Sequence, residues 1–164
     1  MDKNAFGELV MESELSLYRV AKSILQDDND CADAIGEAVT KAFENLHTLK
    51  KDEYAKTWLI RILINECFAI RRHAKRYVLQ GEEQELEFIM ESSEDAAEGA
   101  DYSKLYEAIR RLSEKNRLVI VLYYLEGYSV REIARLLRMG ESAVKNRMAR
   151  ARKKMKETMK EEQV

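Results

Sequence analysis

No proline interrupts this chain of 164 residues. At an average usage of roughly 5%, about eight would be expected. Proline breaks helix interiors by removing a donor and clashing with the preceding turn. Its absence, beside many Leu, Ala, Glu, Lys and Arg, predicts an all-α protein and argues against a sandwich or loop-rich fold. The length suits one ordinary domain or two small ones. No stretch approaches the roughly 20 apolar residues of a membrane span. The first 20 residues carry four acids and no apolar signal core, so a cytoplasmic location is expected. Cys31 and Cys67 form neither a disulfide framework nor a metal-ligand spacing.

Charge divides the chain more sharply than its net −2 suggests. Residues 1–80 hold 12 basic and 13 acidic side chains. Residues 81–101, GEEQELEFIMESSEDAAEGAD, hold nine acids and no base. Residues 102–164 hold 16 bases against eight acids. Like charges extend a chain, so the middle block reads as an acidic flexible linker between two small helical domains, 1–80 and 102–164. A basic C-terminal block is the electrostatic footprint of a polyanionic partner.

In the first block, Leu17, Tyr18, Ala21, Ile24 and Leu25 mark one helix face. Asp27 to Asp30 supply capping side chains. Ile35, Val39, Phe43 and Leu46 mark a second helix, and His47 to Glu53 reads as a loop. A third helix runs from about Tyr54 to Arg76, with a core stripe of Leu59, Ile62, Leu63 and Ile70. Its other side carries Trp58, Arg61, Asn65, Phe68 and Arg72, at i, i+3, i+7, i+10 and i+14. Aromatic and guanidinium planes beside Asn suit a strand whose bases are unstacked, while cations meet phosphate. The same spacing also fits Trp58 and Phe68 as core, with the basic end as a solvated face.

In the last block, Leu105, Ile109 and Leu112 line a short helix, and Leu118, Leu122 and Leu125 line the next. Ser129 and Glu132 form a capping box, the mark of a helix start. Ile133, Ala134 and Leu137 make that helix amphipathic. Gly140 falls in a turn, and Ser142 is placed to cap a following helix with a buried stripe of Val144, Met148, Ala151, Met155 and Met159. Two helices joined by a short turn describe a helix-turn-helix. Its second helix holds eight basic residues and one acid between Lys145 and Lys160. Such a helix enters the major groove N-terminal end first. Glu141, Ser142, Ala143, Lys145, Asn146 and Arg147 are therefore expected at base edges, where Asn and Arg make bidentate contacts. Arg150, Arg152, Lys153 and Lys154 lie nearer phosphate.

Catalysis finds no support. His47 and His73 are far apart in sequence, and neither a ligand cluster nor a glycine-rich phosphate loop is present. No cofactor, metal or small-molecule substrate is expected. Residues 102–164 alone would also suit a stand-alone helix-turn-helix regulator of duplex DNA. Such a regulator needs a ligand or dimerisation domain in residues 1–80, where the Trp58, Arg61 and Asn65 face instead suits strand capture.

The run EGYSVREIARLLRMGESAVKNRMARARKKM resembles the region 4 pattern EGxSxxEIAxxL…VKxRxxRAR of sigma-70 proteins, without a gap. ADAIGEAVTKAF followed by KTWLIRILINE resembles region 2. Both motifs, in order and spanning about residues 10–160, resemble the extracytoplasmic-function (ECF, group IV) sigma factors. The resemblance implies an alternative sigma subunit that binds core RNA polymerase and directs promoter recognition and transcription initiation. Region 2 would dock on the β′ clamp helices through Asp33 and Glu37, and would melt the −10 element near Lys56, Trp58, Arg61, Asn65, Arg72 and Arg76. The loop from His47 to Lys56 would hold a flipped base. Region 4 would rest on the β flap and read the −35 element through Ser142, Ala143, Lys145, Asn146, Arg147, Arg150 and Arg152. The linker would thread toward the RNA exit channel. Members are usually restrained by an anti-sigma factor, often membrane-anchored, and serve stress or envelope responses. Five positions depart from the pattern: Gly36 for Gln, Ser113 for Pro, Arg138 for a turn glycine, and Ser142-Ala143 for Gly-Thr.

Overall fold

A computed structural model describes residues 1–78 and 102–161, with side chains in the first stretch described through residue 74. Among the described residues every regular element is helical. The expected acidic linker, 81–101, lies outside them. The chain divides into two compact units, Met1–Gln84 and Glu85–Val164.

The first unit contains α1 (Lys3–Glu12), α2 (Glu14–Ile24), α3 (Asp28–Glu44) and α4 (Ala55–Val78). Helix α1 is absent from the sequence reading, because its apolar residues form only a weak stripe. Asp2 starts it by accepting the Ala5 N–H at 2.7 Å. Its buried Phe6 meets Phe43 of α3 edge-on, with ring centroids 5.0 Å apart. Asp27 caps α3 through the Asn29 N–H.

The register of α3 differs from expectation. Its buried residues are Cys31, Ala34, Ala38 and Ala42, while Ile35, Val39 and Phe43 are half-buried. Small side chains let α3 lie close against α4, and the larger ones seal the rim of that contact. On α4, Leu59 and Leu63 are buried as expected, but Ile60, Ile64 and Cys67 complete the core, and Ile62 and Ile70 are half-buried. The segment from His47 to Glu53 contains parts of two 3-10 turns, Leu46–Thr48 and Asp52–Tyr54.

A buried cation ties α2 to α3. The Lys22 ammonium donates to the Asp28 carboxylate at 2.6 Å and to the Gln26 carbonyl at 2.9 Å. The Tyr18 hydroxyl donates to the same carboxylate at 2.9 Å. These donors, Lys22 foremost, hold Asp28 below the usual carboxylate range. Burial pushes the Cys31 thiol up to about 11.

The second unit contains α5 (Ser103–Arg110), α6 (Glu114–Ile120), α7 (Val130–Leu137) and α8 (Glu141–Glu161). A π-helical segment, Val121–Leu125, extends α6. Ser113, in place of the family's proline, caps α6 by accepting the Asn116 N–H. The buried Arg117 guanidinium donates to the carbonyls of Arg110 and Leu112, both at 2.8 Å, and of Ile109 at 3.4 Å. It satisfies the Arg110 and Leu112 carbonyls at and just past the end of α5, and shares the Ile109 carbonyl with the Leu112 N–H.

The Ser129–Glu132 capping box is present, with both reciprocal hydrogen bonds. Helix α8 begins at Glu141, so Ser142 lies inside it and is not its cap. The Gly140 carbonyl accepts the Val144 N–H at 3.2 Å, which makes Gly140 the capping position. Val144, Met148 and Ala151 are buried as expected; Met155 and Met159 are half-buried, and Thr158 is the deep residue at that end.

Arg138 ends α7 in the left-handed region, at φ 54°. A residue with a Cβ meets steric cost there that glycine avoids. Arg138→Gly is therefore expected to stabilise the fold by about 1 kcal/mol, read as a higher urea midpoint at unchanged m-value. Asp28→Asn is expected to destabilise the protein at neutral pH. A depressed carboxylate contributes stability above its unfolded pKa of about 3.9 and loses it as pH falls through the lower folded value. The gap between wild type and Asp28→Asn should narrow in acid unfolding as pH falls from the unfolded value through the lower folded one.

Candidate nucleic-acid interface

The outward side of α8 follows from its buried one. Opposite Val144, Met148 and Ala151 lie Ser142, Asn146, Ala149 and Lys153, at i, i+4, i+7 and i+11, all exposed. Lys145 and Arg150 flank this row and are exposed too, while Ala143 and Arg147 are half-buried at its margin. The row begins with a small hydroxyl, continues with an amide, and carries a methyl at its centre. Small residues there allow close approach to a groove floor, with cations on either side to meet phosphate.

Arg152 is exposed but engaged. Its Nε donates to the Tyr124 hydroxyl at 2.9 Å, and the guanidinium lies 5.7 Å from that ring's centroid. Tyr124 packs edge-on against Tyr123, with centroids 4.9 Å apart. Of the seven residues expected at the −35 element, Arg152 is thus the one tied to the π-helical segment.

On α4, the row Trp58, Arg61, Asn65 and Arg72 lies opposite the core positions Leu59, Leu63 and Cys67. Asn65 and Arg72 are exposed; Lys56, Trp58 and Arg61 are half-buried. Trp58 leans on Phe6, with ring centroids 6.0 Å apart and planes at 64°. One side of the indole thus packs on α1 while the residue stays partly open. The two sequence interpretations, core and working surface, meet in one side chain. The Arg61 Nε is buried with no hydrogen-bond partner. Arg76 lies within α4, but its side chain falls outside the described ones.

The segment before α4 adds residues that the sequence reading did not single out. Tyr54 is 57% exposed, with the Lys51 ammonium 6.0 Å from its ring centroid. An exposed aromatic beside a cation is a stacking platform. Its signal was available in KKDEY, which placed Lys50 and Lys51 just ahead of Tyr54.

Asp33 and Glu37 are exposed, one helical turn apart on α3. Lys41 sits 3.9 Å from Glu37 and 2.5 Å from Glu66 of α4. Gly36, between the two acids, is exposed, with nothing within 4 Å of where a Cβ would stand. A longer side chain would fit there, so the family's glutamine is missing without any steric demand for glycine.

These two surfaces fall within two regions that match known protein families. Residues 9–77 match the model for sigma-70 region 2, and residues 102–155 match the model for sigma-70 region 4. The chain belongs to the sigma-70 family, in its ECF group. This sigma factor is 29% identical over 154 residues to the ECF RNA polymerase sigma factor SigM of Mycobacterium tuberculosis, spanning 94% of the chain and 76% of the relative. Its fold resembles that of sigma factor RpoE of Bartonella quintana, solved with the anti-sigma factor NepR. There the TM-score is 0.78 at 22% identity, covering 95% of this chain and 97% of that one. CnrH, solved with the cytosolic domain of CnrY, gives a TM-score of 0.67 at 25% identity, covering 97% and 90%. Among the described residues, no helix of the sigma factor is long and apolar enough to cross a membrane.

The outward position of Asn146, near the start of α8, sets an expectation. In binding to promoter duplexes altered one base pair at a time, Asn146→Ala should lose about 1–3 kcal/mol of discrimination at one position. Lys145→Ala should weaken every duplex about equally. A uniform loss for Asn146→Ala would assign it to phosphate instead.

Proposed function

We propose that this sigma factor binds core RNA polymerase and brings it to promoters with two unlike, directional elements. The observation that carries this reading is the pairing of two outward rows on one chain. One, on α4, combines aromatic, amide and guanidinium groups; the other, on α8, combines an amide with small residues and flanking cations. A duplex reader needs only the second. A subunit that also captures a melted strand needs both.

In this reading Ser142, Ala143, Lys145, Asn146, Arg147 and Arg150 meet the −35 duplex. Lys56, Trp58, Arg61, Asn65, Arg72 and Arg76 meet the −10 strand, and Tyr54 offers its ring to an unstacked base. Arg152 acts at one remove: its bond to Tyr124 braces α8 against the segment after α6. Asp33 and Glu37 meet the β′ clamp helices, and the helix-turn-helix unit rests on the β flap. Residues 81–101 tether the two units, which need independent placement on elements of fixed spacing. Melting is driven by binding energy, and nucleotide chemistry is left to the polymerase, so the chain is not an enzyme. It works in the cytoplasm, where polymerase and promoters are. The complex of CnrH with CnrY supports a further partner, an anti-sigma factor that withholds this chain until a stress or envelope signal arrives.

The test mixes the purified chain with sigma-free core polymerase and genomic fragments, then maps RNA 5′ ends. Discrete starts preceded by one shared pair of boxes are expected. Footprints on duplex DNA without polymerase, and no starts, would contradict the reading. Trp58→Ala should leave duplex −35 binding intact and reduce permanganate reactivity around −10. Normal reactivity would move Trp58 to a packing role on Phe6 alone.

A further inference from the structure

Apart from Arg147 and Arg150, already placed along α8, the arginines of the second unit fall into two groups. Arg110 and Arg111 pair with Glu107, and Arg111 also reaches Glu161 at 3.7 Å. Arg117 is consumed by carbonyls, and Arg152 by Tyr124. Arg131, Arg135 and Arg138 differ. All three are exposed, and among the described residues none meets a carboxylate within ion-pairing distance. They recur at i, i+4 and i+7, so they share one side of α7 and its C-terminal cap. Together with Gly140 and Glu141 they line an open groove of about 530 Å³ at the elbow where α7 turns into α8.

Arg138 adds a second, independent observation. It is the one non-glycine residue at positive φ among the described residues. The backbone there favours glycine, yet a long cation occupies the position. A residue held where another would be less strained points to a use for its side chain. The use that fits three unpaired guanidiniums around one groove is a run of oxyanions at fixed spacing. Glu141 lines the same groove, so the three cations outnumber the one acid.

We propose that Arg131, Arg135 and Arg138 form a backbone clamp that grips the phosphates of the promoter duplex beside the groove entered by α8. This rests on the −35 reading above and extends the interface from α8 onto α7 and the turn. The chemistry is charge pairing with fork-shaped donors suited to phosphate oxygens. It fixes where α8 sits along the duplex without reading any base. The strained turn is thereby explained: stability is given up at Arg138 to place the third cation.

Each phosphate contact releases counterions, so log K falls with log salt by about 0.9 per contact on duplex DNA. The experiment measures promoter binding by the reconstituted holoenzyme between 50 and 200 mM salt. It compares wild type, Arg138→Gly, the triple Arg131→Gln/Arg135→Gln/Arg138→Gln variant, and Lys115→Gln on α6 as control. The slope should become shallower by about 0.9 for Arg138→Gly and by about 2.7 for the triple variant, with the control unchanged. Discrimination between the intact upstream box and base-substituted boxes should not change. Arg138→Gly should bind more weakly although it unfolds at higher urea, which separates lost contact from lost fold. A triple variant with the wild-type slope would overturn the clamp, as would a loss confined to one upstream sequence. If wild type itself shows no preference for an upstream box, the −35 reading falls, and the clamp with it.

Discussion

The burial of one stripe on α8 is the constraint on which the DNA-facing surface depends. Val144, Met148 and Ala151 are fully or nearly fully buried, and Thr158 closes the same line. A helix this cationic would not remain packed on propensity alone; its apolar side holds it. Helices α5, α6 and α7 all contact it, so α8 forms the spine of the second unit. Once that side is fixed, Ser142, Asn146, Ala149 and Lys153 have only one direction left. The buried Arg117 guarantees the base of the arrangement by tying the end of α5 to α6, and removing it would take a donor from the Arg110 and Leu112 carbonyls.

The first unit obeys the same logic with a different device. The cysteine and alanines of α3 give α4 a close, smooth bed, so α4 buries Leu59, Ile60, Leu63, Ile64 and Cys67 and turns its other side outward. Trp58 stands at the border. Phe6 and Phe43 link α1 to α3, and Phe6 then supports the indole. An aromatic platform backed by a buried aromatic is held in one orientation without being covered. Pre-organisation of this kind lowers the ordering cost of binding a flexible strand.

Much of this was legible in the residues. The capping box at Ser129 and Glu132, the turn after Leu137, and the Val144, Met148 and Ala151 stripe were readable because each is a local signal with a fixed offset. The α3 face was not. Ile35, Val39 and Phe43 are the larger apolar residues, and periodicity weighs size; close helix packing instead selected the small residues Ala34, Ala38 and Ala42. Helix α1 carried too little apolar pattern to announce itself, and its role rests on the single residue Phe6. The start of α8 lies two residues earlier than expected, because a glycine capping through its carbonyl leaves no side-chain mark. Arg131 and Arg135 escape a reading of α7 for its buried side; Arg138 stands out in the sequence only as a departure from a turn glycine, and its left-handed backbone is visible only in three dimensions.

The most direct test places a cutting reagent on each unit of the assembled sigma factor. Cys31 and Cys67 are both buried, so a single added surface thiol can carry an iron chelate. Glu141→Cys, at the start of α8, and Lys50→Cys, in the segment before α4, would each be joined to core polymerase and a mapped promoter. The account predicts strand cleavage at the upstream box from Glu141→Cys and at the melted region near the start site from Lys50→Cys. Cleavage at one common place from both, or cleavage from Glu141→Cys alone and only without polymerase, would contradict it.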